Sequence, residues 1–563
     1  MRAGALGAGA GEAMTRCIET DVLIVGAGPC GLMLANELGP RGVRTLVIDA
    51  KGGTAYNPQA NATQARTMEH YRRLGFADEI RALGLPADYP TDIAYFTRFA
   101  THELARFSLP ASKDARQIIR GLSGSWSAAE LPHRVSQKYV EPVLLKHAVK
   151  WATNDIRFRT RLIAFEDHGA HVEAQAEDEA GAFSIRARYL VGADGARSQV
   201  RRKLWFGWVG DAAIQRDFMG GRMFAIYMRA PDFYKVSPHG AAWMYVAFNP
   251  ERRAYMAAVD GRGEFAFHTQ LRVDESEERI TKAQAADIFR TATGRAVDGE
   301  VLEMNGWTAG HALVADRVQQ GNVFLGGDAA HLFTPAGGMG YNTATEDAVN
   351  LGWKLAMAVR GVAGPHLLAS YHHERWMVAR RNTGYARALA DSLGNFRPVA
   401  HIEDDSPDGV AARSQAGEHY NAHARAEFNI PGFTLGARYD GSPVIVADGT
   451  APPPDGPNVY HPSACPGGRA PHVWLGDGAS LYDGFNFEWT LLRLGSRAPD
   501  ASGFTKAASA IGLDLKVVDV AGDEARDLYE ADLALIRPDQ IVAWRGGAVA
   551  DADAVLAQAA GFS

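Results

Sequence analysis

Three glycines near the N-terminus have the spacing Gly26-x-Gly28-x-x-Gly31. They follow an apolar run at 21–25 and precede a helical pattern, and Asp49 ends a second apolar run 23 positions after Gly26. This order of strand, turn, helix and strand is typical of a dinucleotide-binding βαβ unit. The glycines admit a pyrophosphate, the helix N-terminus supplies N–H donors, and Asp49 accepts hydrogen bonds from a ribose. A glycine-rich turn without a ligand is the alternative.

Two further turns combine an aspartate with glycines after an apolar run. Asp194 lies in the turn 192–198, and Asp328 lies in the turn 326–331. Asp194 and Ser198 could simply cap the next helix, because both are good N-cap residues. Asp328 is followed by the glycine-rich stretch 335–342, whose backbone N–H groups suit an anionic or electron-rich ring edge.

These three motifs, in this order and without a second GxGxxG, resemble the group A flavoprotein monooxygenases of the para-hydroxybenzoate hydroxylase fold family. The resemblance is strongest to the phenol and polyketide hydroxylases with a C-terminal thioredoxin-like domain. It covers about 14–400 through the motifs and reaches the C-terminus through segments such as RYDGSPVI and LIRPDQIVAWRG.

The resemblance implies an α/β fold. A Rossmann-type FAD-binding domain is interleaved with an antiparallel-sheet substrate domain and followed by a thioredoxin-like domain. It implies tightly bound, noncovalent FAD, NADPH or NADH as a transient co-substrate, and a homodimer. One oxygen atom of O2 would reach a phenolic substrate through a C4a-hydroperoxyflavin. An epoxidase acting on a polyketide-like substrate and a non-catalytic flavin-binding protein are the alternatives.

Carried over position by position, the resemblance implies a set of flavin-binding residues. The glycine turn would hold the pyrophosphate and Asp49 the ribose. The residues expected to bind the cofactor are Gly26, Gly28, Gly31, Asp49, Gln59, Arg66, Gln137, Asp194, Asp328, Gly338, Met339, Gly340, Tyr341 and Asn342. Pro335 is expected near the reactive face of the flavin.

Three positions depart from the family pattern. Gln59 replaces an arginine, and Asn61 stands where phenol hydroxylases can place a catalytic aspartate. Asn61 can hydrogen-bond a phenol but cannot act as a base. Cys30, within the first glycine turn, is interpreted as a buried packing residue.

The stretch 222–260 alternates and is rich in aromatic residues, which predicts an antiparallel sheet that lines the substrate pocket. Tyr227, His239 and Tyr245 are its candidate catalytic residues, although only alternate residues can face one pocket and ordinary sheet core is the alternative. The stretch 254–260 contains no cation and ends in Asp260. A neutral phenol is therefore expected to be preferred over para-hydroxybenzoate.

The elements that must position these residues fill a chain of 563 residues with net charge −7. We expect a disordered leader over 1–14, the flavin domain over 15–400 with its substrate sheet at about 90–130 and 205–310, a connecting segment over 401–434 with a polar loop at 402–422, and the thioredoxin-like domain over 435–563. That last domain has no CxxC, so a structural role is expected and its removal should leave the flavin site competent. Composition and cysteine spacing indicate a cytoplasmic protein without metal, nucleic acid or membrane partners.

Overall fold

A computed structural model describes residues 16–212, 216, 218–547 and 551–563. The expected leader, 1–14, lies outside this range. Among the described residues, no helix combines the length and apolar character that a membrane crossing requires.

The strands are β1 (Cys17–Val25), β2 (Thr45–Ile48), β3 (Ile93–Phe96), β4 (Glu103–Phe107), β5 (Asn154–Arg157), β6 (Arg161–Asp167), β7 (Val172–Asp178), β8 (Gly181–Gly192), β9 (Trp208–Asp211), β10 (Gly221–Arg229), β11 (Met244–Ala247), β12 (Ala254–Ala258), β13 (Glu264–Gln270), β14 (Glu300–Ala309), β15 (Ala312–Ala315), β16 (Gln319–Gln320), β17 (Val323–Leu325), β18 (His331–Leu332), β19 (Trp489–Leu494), β20 (Leu515–Val520), β21 (Leu533–Ile536) and β22 (Val542–Gly546). The helices are α1 (Pro29–Leu38), α2 (Ala65–Arg73), α3 (Ala77–Arg81), α4 (Ala115–Gly121), α5 (Gln137–Ala148), α6 (Gln199–Lys203), α7 (Phe233–Val236), α8 (Lys282–Thr293), α9 (Met339–Arg360), α10 (Pro365–Asn395), α11 (Pro407–Phe428), α12 (Pro431–Leu435), α13 (Ser502–Ala510), α14 (Asp523–Tyr529) and α15 (Ala552–Ala559).

The first sheet has the strand order β16-β17-β8-β1-β2-β5, with β7 and β6 added beside β8. Its central strands β17, β8, β1, β2 and β5 are parallel. Helix α1 packs against α5 and α9. Residues 22–24 of β1 are completely buried, as expected for a parallel strand covered on both faces. The predicted Rossmann-type unit is therefore confirmed.

The second sheet has the order β14-β10-β13-β12-β11-β3-β4 and is antiparallel except where β11 meets β3. Its strands come from two separate stretches of the chain, so the sheet is interleaved with the first one, as predicted. One face packs on α7 and α8 through phenylalanines such as Phe233 and Phe289. Helix α11 covers the other face, where Tyr95 stacks on Tyr420.

Helix α11 corrects the expectation that the connection near 402–422 is a loop. Ser406 caps its N-terminus by accepting a hydrogen bond from the Gly409 N–H at 3.1 Å, and Pro407 occupies the first turn. Only one side of this helix is buried, and that side carries Tyr420 and His423. The segment is polar because the rest of its surface meets water.

The C-terminal sheet has the order β20-β19-β21-β22. Strand β19 is parallel to β20 and antiparallel to β21, and the helices α13, α14 and α15 complete the predicted thioredoxin-like arrangement. Cys465 lies in the segment between α12 and β19, where it is buried as a free thiol.

Buried ion pairs connect this C-terminal part to the N-terminal part of the chain. Glu374 on α10 binds Lys354 at 2.6 Å and Arg537 at 2.7 Å, and all three side chains are completely buried. Glu69 on α2 binds Arg469, whose Nε lies 3.0 Å from the carboxylate. Removing one member of a buried pair leaves an uncompensated charge. The network therefore argues against the expectation that the C-terminal part is dispensable.

Candidate active site

The first glycine turn joins β1 to α1, and each glycine has its own steric reason. Gly26 has φ +113°, and a Cβ there would lie 2.2 Å from the carbonyl oxygen of Ala193. A Cβ at Gly31 would lie 1.9 Å from the carbonyl oxygen of Gly26, so this glycine lets helix and strand pack closely. At Gly28, a Cβ would have no atom within 4 Å. The turn therefore leaves open space at Gly28, the position where a pyrophosphate would approach the backbone.

Asp49 follows β2 and lies beside this turn. Its Oδ2 accepts a hydrogen bond from the Ala27 N–H at 2.8 Å, and its Oδ1 accepts one from the Lys51 N–H at 2.8 Å. These two bonds fix the carboxylate, and each oxygen keeps a further lone pair for a ribose hydroxyl.

Asp328 lies at the carboxyl end of β17. Its side chain is open to solvent, yet protein surrounds it on most sides, and this desolvation raises the pKa of its carboxyl above the ordinary range. Asp347 on α9 holds the same turn in place: it accepts hydrogen bonds from the Gly327 N–H at 3.0 Å, from His331 Nε2 at 2.6 Å and from Arg375 Nε at 2.8 Å. His331 is therefore a structural residue that orders the Asp328 turn.

Cys30 lies in the first turn of α1 and is buried. Burial raises the pKa of its thiol well above the ordinary value, and the carboxylates of Asp347 and Asp328 raise it further. The thiol is consequently protonated and unreactive, which agrees with a packing role.

The second glycine turn precedes α9. Gly337 and Gly338 both have left-handed backbones, with φ +75° and +64°. The Gly337 N–H donates to Glu427 Oε1 at 3.0 Å, so one backbone donor of this turn is bound by α11. Met339 is buried, Pro335 is exposed, and Gly340 lies against the ring of Phe333.

Asn342 and Tyr341 support this turn through their side chains. Asn342 accepts from the Gln64 N–H at 2.8 Å and donates to the carbonyls of Ala62 at 3.0 Å and Gly338 at 2.6 Å. The Tyr341 hydroxyl contacts that of Tyr71. Any contact of this stretch with a ring edge must therefore come mainly from backbone atoms.

Three other expected cofactor residues have different surroundings. Asp194 accepts from Ser198 Oγ at 2.5 Å and from the Gln199 N–H at 2.6 Å, so it caps α6, which was the structural alternative. Gln137 donates to Glu141 at 2.5 Å, and Gln59 is exposed.

Arg66 corrects an expectation. Its guanidinium donates to Glu69 at 2.9 Å, to Gln540 at 2.7 Å and to the Asp539 carbonyl at 2.6 Å. These partners place Arg66 in the buried junction with the C-terminal part rather than at the glycine turns.

Strand register divides the aromatic residues of the second sheet between two faces. Tyr227 pairs with Ala266 on β13, and Tyr255 pairs with His268, two residues after Ala266 on the same strand. Tyr227, His268 and Tyr255 therefore share a face. Val246 pairs with both Tyr255 and Tyr95, which adds Tyr95 to that face.

Helix α11 links this aromatic face to the second glycine turn, because its Tyr420 stacks on Tyr95 and its Glu427 accepts from the Gly337 N–H. Burial raises the pKa of Tyr95 and Tyr255, and the nearby Glu427 carboxylate raises both further. Glu427 is the residue that binds Gly337, so the two tyrosines and the turn share a neighbour. His268 stacks on Tyr255 at 4.6 Å, and burial lowers its pKa to about 4, so its imidazole is neutral at pH 7.

Two of the three candidate catalytic residues in the sheet belong elsewhere. Tyr245 projects from the opposite face, where it contacts Phe233 at 5.3 Å and accepts a hydrogen bond from the Ala242 N–H at 2.8 Å. His239 lies against Phe96 on that same side and contacts the carbonyl of Thr101. These contacts argue against a pocket role for either residue, which alternation alone could not show because it does not tell which face is inward.

Tyr227 lies on the aromatic face, toward the strand end that meets Lys138. Its hydroxyl contacts Lys138 and Glu264, and burial, followed by Glu264, raises its pKa. Asn61 donates to the Pro58 carbonyl at 3.2 Å, while its Oδ1 is buried without a hydrogen-bond partner among the described residues. An unsatisfied buried acceptor is costly, and this oxygen is closed to solvent, so a ligand donor can reach it only if the Asn61 side chain turns.

One group of side chains in the described part of the chain has metal-ligand geometry. His168, His171 and Glu173 bring their ligand atoms within 4.8 Å of one another around the β6–β7 turn. None of the residues expected to bind flavin or substrate belongs to this group.

Comparisons with known proteins agree with this geometry. Residues 19–386 match the FAD binding domain family, and residues 463–561 match the family described as aromatic-ring hydroxylase, C-terminal. Aklavinone 12-hydroxylase RdmE from Streptomyces purpurascens is 33% identical over 96% of this chain and 97% of its own. Phenol 2-monooxygenase from Pseudomonas sp. (strain EST1001) is 30% identical over 96% of this chain and 92% of its own. The solved structure of the rebeccamycin biosynthetic enzyme RebC with reduced flavin superimposes with a TM-score of 0.87, at 32% identity, over 98% of this chain and 100% of that chain.

The fold and the two glycine turns define a flavoprotein monooxygenase. The chain belongs to the family of FAD-dependent aromatic-ring hydroxylases, with the para-hydroxybenzoate hydroxylase fold and a C-terminal aromatic-ring hydroxylase domain.

Proposed function

We propose that this enzyme hydroxylates a phenolic ring of an extended, flat aromatic substrate, using NAD(P)H and O2. The observation that carries the proposal is the stacked pair Tyr255 and His268 on the face of the sheet that packs on α11, the helix whose Glu427 also binds the glycine turn at Gly337. Aromatic side chains form favourable offset and edge contacts with a flat ring. The names of the relatives, an aklavinone hydroxylase and a phenol monooxygenase, support the same substrate class.

In this proposal the chain's own residues hold FAD at both glycine turns. The turn with Gly26, Gly28 and Gly31 admits the pyrophosphate. Asp49 and Asp328 accept hydrogen bonds from the ribose and ribityl hydroxyls of FAD. The backbone from Gly338 to Asn342 meets the flavin ring. The fit rests on the open space at Gly28 and on the carboxylate of Asp328, which is open to solvent. Bound FAD supplies the activation of O2 and the transfer of one oxygen atom.

Asn61 orients the phenol in this proposal. Its unpaired Oδ1 is closed to solvent, so the side chain must turn toward the substrate before this oxygen accepts a hydrogen bond from the substrate hydroxyl. That bond increases electron density on the ring without removing the proton. The neutral imidazole of His268 provides a second acceptor on the aromatic face. The aromatic lining excludes water from the reacting ring.

The test is NAD(P)H oxidation by the FAD-loaded enzyme, with and without a panel of monocyclic and polycyclic phenols. We expect polycyclic phenols to stimulate oxidation and to gain one oxygen atom from 18O2. An epoxide or diol product would identify the epoxidase alternative. Bound FAD with no stimulated turnover would identify a flavin-binding protein without this activity and would refute the proposal.

We also propose a homodimer in the cytoplasm. Cys17, Cys30 and Cys465 are all free, which agrees with a reducing compartment. Light scattering of the eluted protein tests the dimer, and a monomer across the working concentration range would contradict it. Fractionation of the source cells tests the location, and recovery outside the cytoplasmic fraction would contradict that part.

A further inference from the structure

Arg134 is a buried cation without a hydrogen-bond or ion-pair partner among the described residues. Its relative exposure is 6%. The guanidinium instead lies 4.5 Å from the ring centroid of Trp243 and 5.8 Å from that of Phe428. Its nitrogens keep access to solvent, unlike the sealed, unpaired nitrogens of Arg81 and Arg216. Arg134 thus keeps a small solvent-accessible edge at its guanidinium.

The position of Arg134 relates it to the second glycine turn. Thr63 and His133 form an isolated antiparallel bridge, which places Ala62 across from Arg134. A Cβ at Gly338 would lie 3.2 Å from the Ala62 Cβ. Phe428, one of the two rings beside Arg134, directly follows Glu427, the residue that binds the Gly337 N–H. Arg134 therefore lies between the flavin turn and the residues of the sheet and α11.

The charge of Arg134 is only partly compensated, because Glu427, the acidic residue that acts on it, makes its hydrogen bonds to other groups. Glu427 binds Gly337 through Oε1 and His423 through Oε2, the latter at 2.6 Å. Desolvation lowers the pKa of the Arg134 guanidinium to about 10, and Glu427 offsets this only partly. Cation–π contacts compensate part of the burial penalty, but they use the ring faces and leave the N–H donors in the guanidinium plane unpaired.

We propose that Arg134 anchors an anionic group, specifically a carboxylate, of the aromatic substrate. The proposal rests on the proposed function, and it reverses the expectation that a neutral phenol is preferred. A carboxylate accepts two parallel N–H bonds from a guanidinium, and burial makes such a pair strong. Asp260, which was expected to repel a carboxylate, is engaged in the β12–β13 turn, where its Oδ1 accepts from the N–H groups of Arg262, Gly263 and Glu264.

The substrate is a better partner for Arg134 than the flavin. Trp243, which immediately precedes β11, and Phe428, the last residue of α11, are the two rings that hold the guanidinium. Trp243 adjoins the second sheet and Phe428 belongs to α11, which packs on its aromatic face, and neither residue belongs to the dinucleotide-binding unit. The N–H donors are therefore held by the part of the molecule that receives the substrate.

The test uses two matched probes, 1-hydroxy-2-naphthoate and 1-naphthol, which differ only by the carboxylate. Their Kd values are measured from the change in flavin absorbance of the FAD-loaded enzyme, and both are assayed as substrates. We expect the wild type to bind 1-hydroxy-2-naphthoate at least about tenfold more tightly than 1-naphthol. Arg134→Met should weaken naphthoate binding roughly 10- to 100-fold and leave naphthol binding unchanged. Arg134→Lys should keep part of the preference for the naphthoate over the naphthol.

The control is Arg120→Met, because Arg120 is an exposed arginine that also stacks on a tryptophan, 5.5 Å from the ring of Trp474. It should change neither Kd. Thermal unfolding and FAD content verify that each variant is folded. Arg134→Met should be at least as stable as the wild type, because it removes an unpaired buried charge and keeps an apolar chain between the rings.

Three results would overturn the anchor: no preference of the wild type for the naphthoate, equal weakening of both probes in Arg134→Met, or a change confined to the FAD Kd or flavin potential. Hydroxylation of naphthol without a carboxylate preference would refute the anchor while the proposed function stands. A carboxylate preference that depends on Arg134, without hydroxylation of any phenol, would support the anchor and refute the proposed function.

Discussion

Replacing Glu69 with glutamine should destabilise the whole protein, although Glu69 is remote in sequence from the C-terminal part that it holds. Its carboxylate accepts from Arg66 at 2.9 Å, from Arg469 Nε at 3.0 Å and from the Ala129 N–H at 2.9 Å. Glutamine keeps the shape but removes the charge. Both arginines then lose their anionic partner in a buried junction.

Two independent arguments give the loss of stability expected for Glu69→Gln. Burial alone would raise the pKa of Glu69, but Arg469 and Arg66 outweigh it and lower the pKa from 4.5 to about 2. That difference corresponds to about 3 kcal/mol of stability at neutral pH. Breaking a buried ion pair from one side independently gives about 3–5 kcal/mol. The two agree, so we expect Glu69→Gln to lose about 3 kcal/mol or more.

The pH dependence has a defined sign. Because the folded pKa is lowered, the stabilisation is complete above pH 4.5 and is lost as the pH falls toward 2. The difference between wild type and Glu69→Gln should therefore be smaller at pH 3.5 than at pH 7, by about 1 kcal/mol.

Denaturant unfolding followed by both flavin and tryptophan fluorescence measures this loss. Glu79→Gln is the matched control, because Glu79 pairs with Lys146 at 2.7 Å on the exposed surface. Such a pair contributes at most about 1 kcal/mol. If Glu69→Gln loses no more stability than Glu79→Gln, the buried network does not hold the two parts together and the reasoning fails.

Four further outcomes are expected. The protein should bind one noncovalent FAD, and Asp328→Ala should weaken it roughly 10- to 100-fold in a fluorescence titration; an unchanged Kd would remove Asp328 from the site. Gly31→Ala should fail to fold, because its Cβ would lie 1.9 Å from a carbonyl oxygen. Gly28→Ala should fold normally and lose FAD affinity, as judged by circular dichroism and flavin content. Equal behaviour of the two variants would contradict their separate roles. Truncation at residue 435 should give insoluble or FAD-free protein, so a soluble, reducible flavoprotein would argue against the interdomain network. Tyr245→Phe should keep kcat/KM within about twofold, because its hydroxyl bonds only within the far face of the sheet; a larger loss with a phenolic substrate would place Tyr245 in the pocket.

The fold was accessible from the sequence where local patterns carry strong physical constraints. Gly26 and Gly31 allow backbone approaches that a side chain would block, and Asp49 ends the neighbouring strand, from which it reaches the turn. The alternating C-terminal strands and helices likewise predict the thioredoxin-like sheet. In each case one short segment contains the whole signal.

The site required information that is distributed over distant segments. Tyr245 and Tyr255 look equivalent in the sequence, and only the register of β11 with β12 separates their faces. Arg66 follows the first flavin motif in the sequence, but two of its three partners lie more than 470 positions away. Arg134 lies three residues before Gln137, and the family pattern implies a role for the glutamine alone. Its rings and its acidic neighbour come from distant segments, among them the end of α11, a helix that the polar composition did not predict.

The buried ion pairs between the two parts of the chain also limit how relatives of this enzyme can recombine. Glu69 and Glu374 lie in the N-terminal part, and their arginine partners, Arg469 and Arg537, lie in the C-terminal part. A crossover near residue 440 would inherit the carboxylates from one parent and the arginines from the other. Chimeras should therefore be viable only between parents that share all four charges, or with crossover points beyond residue 540. Domain exchange to alter substrate choice would have to respect this pairing before any pocket residue is considered.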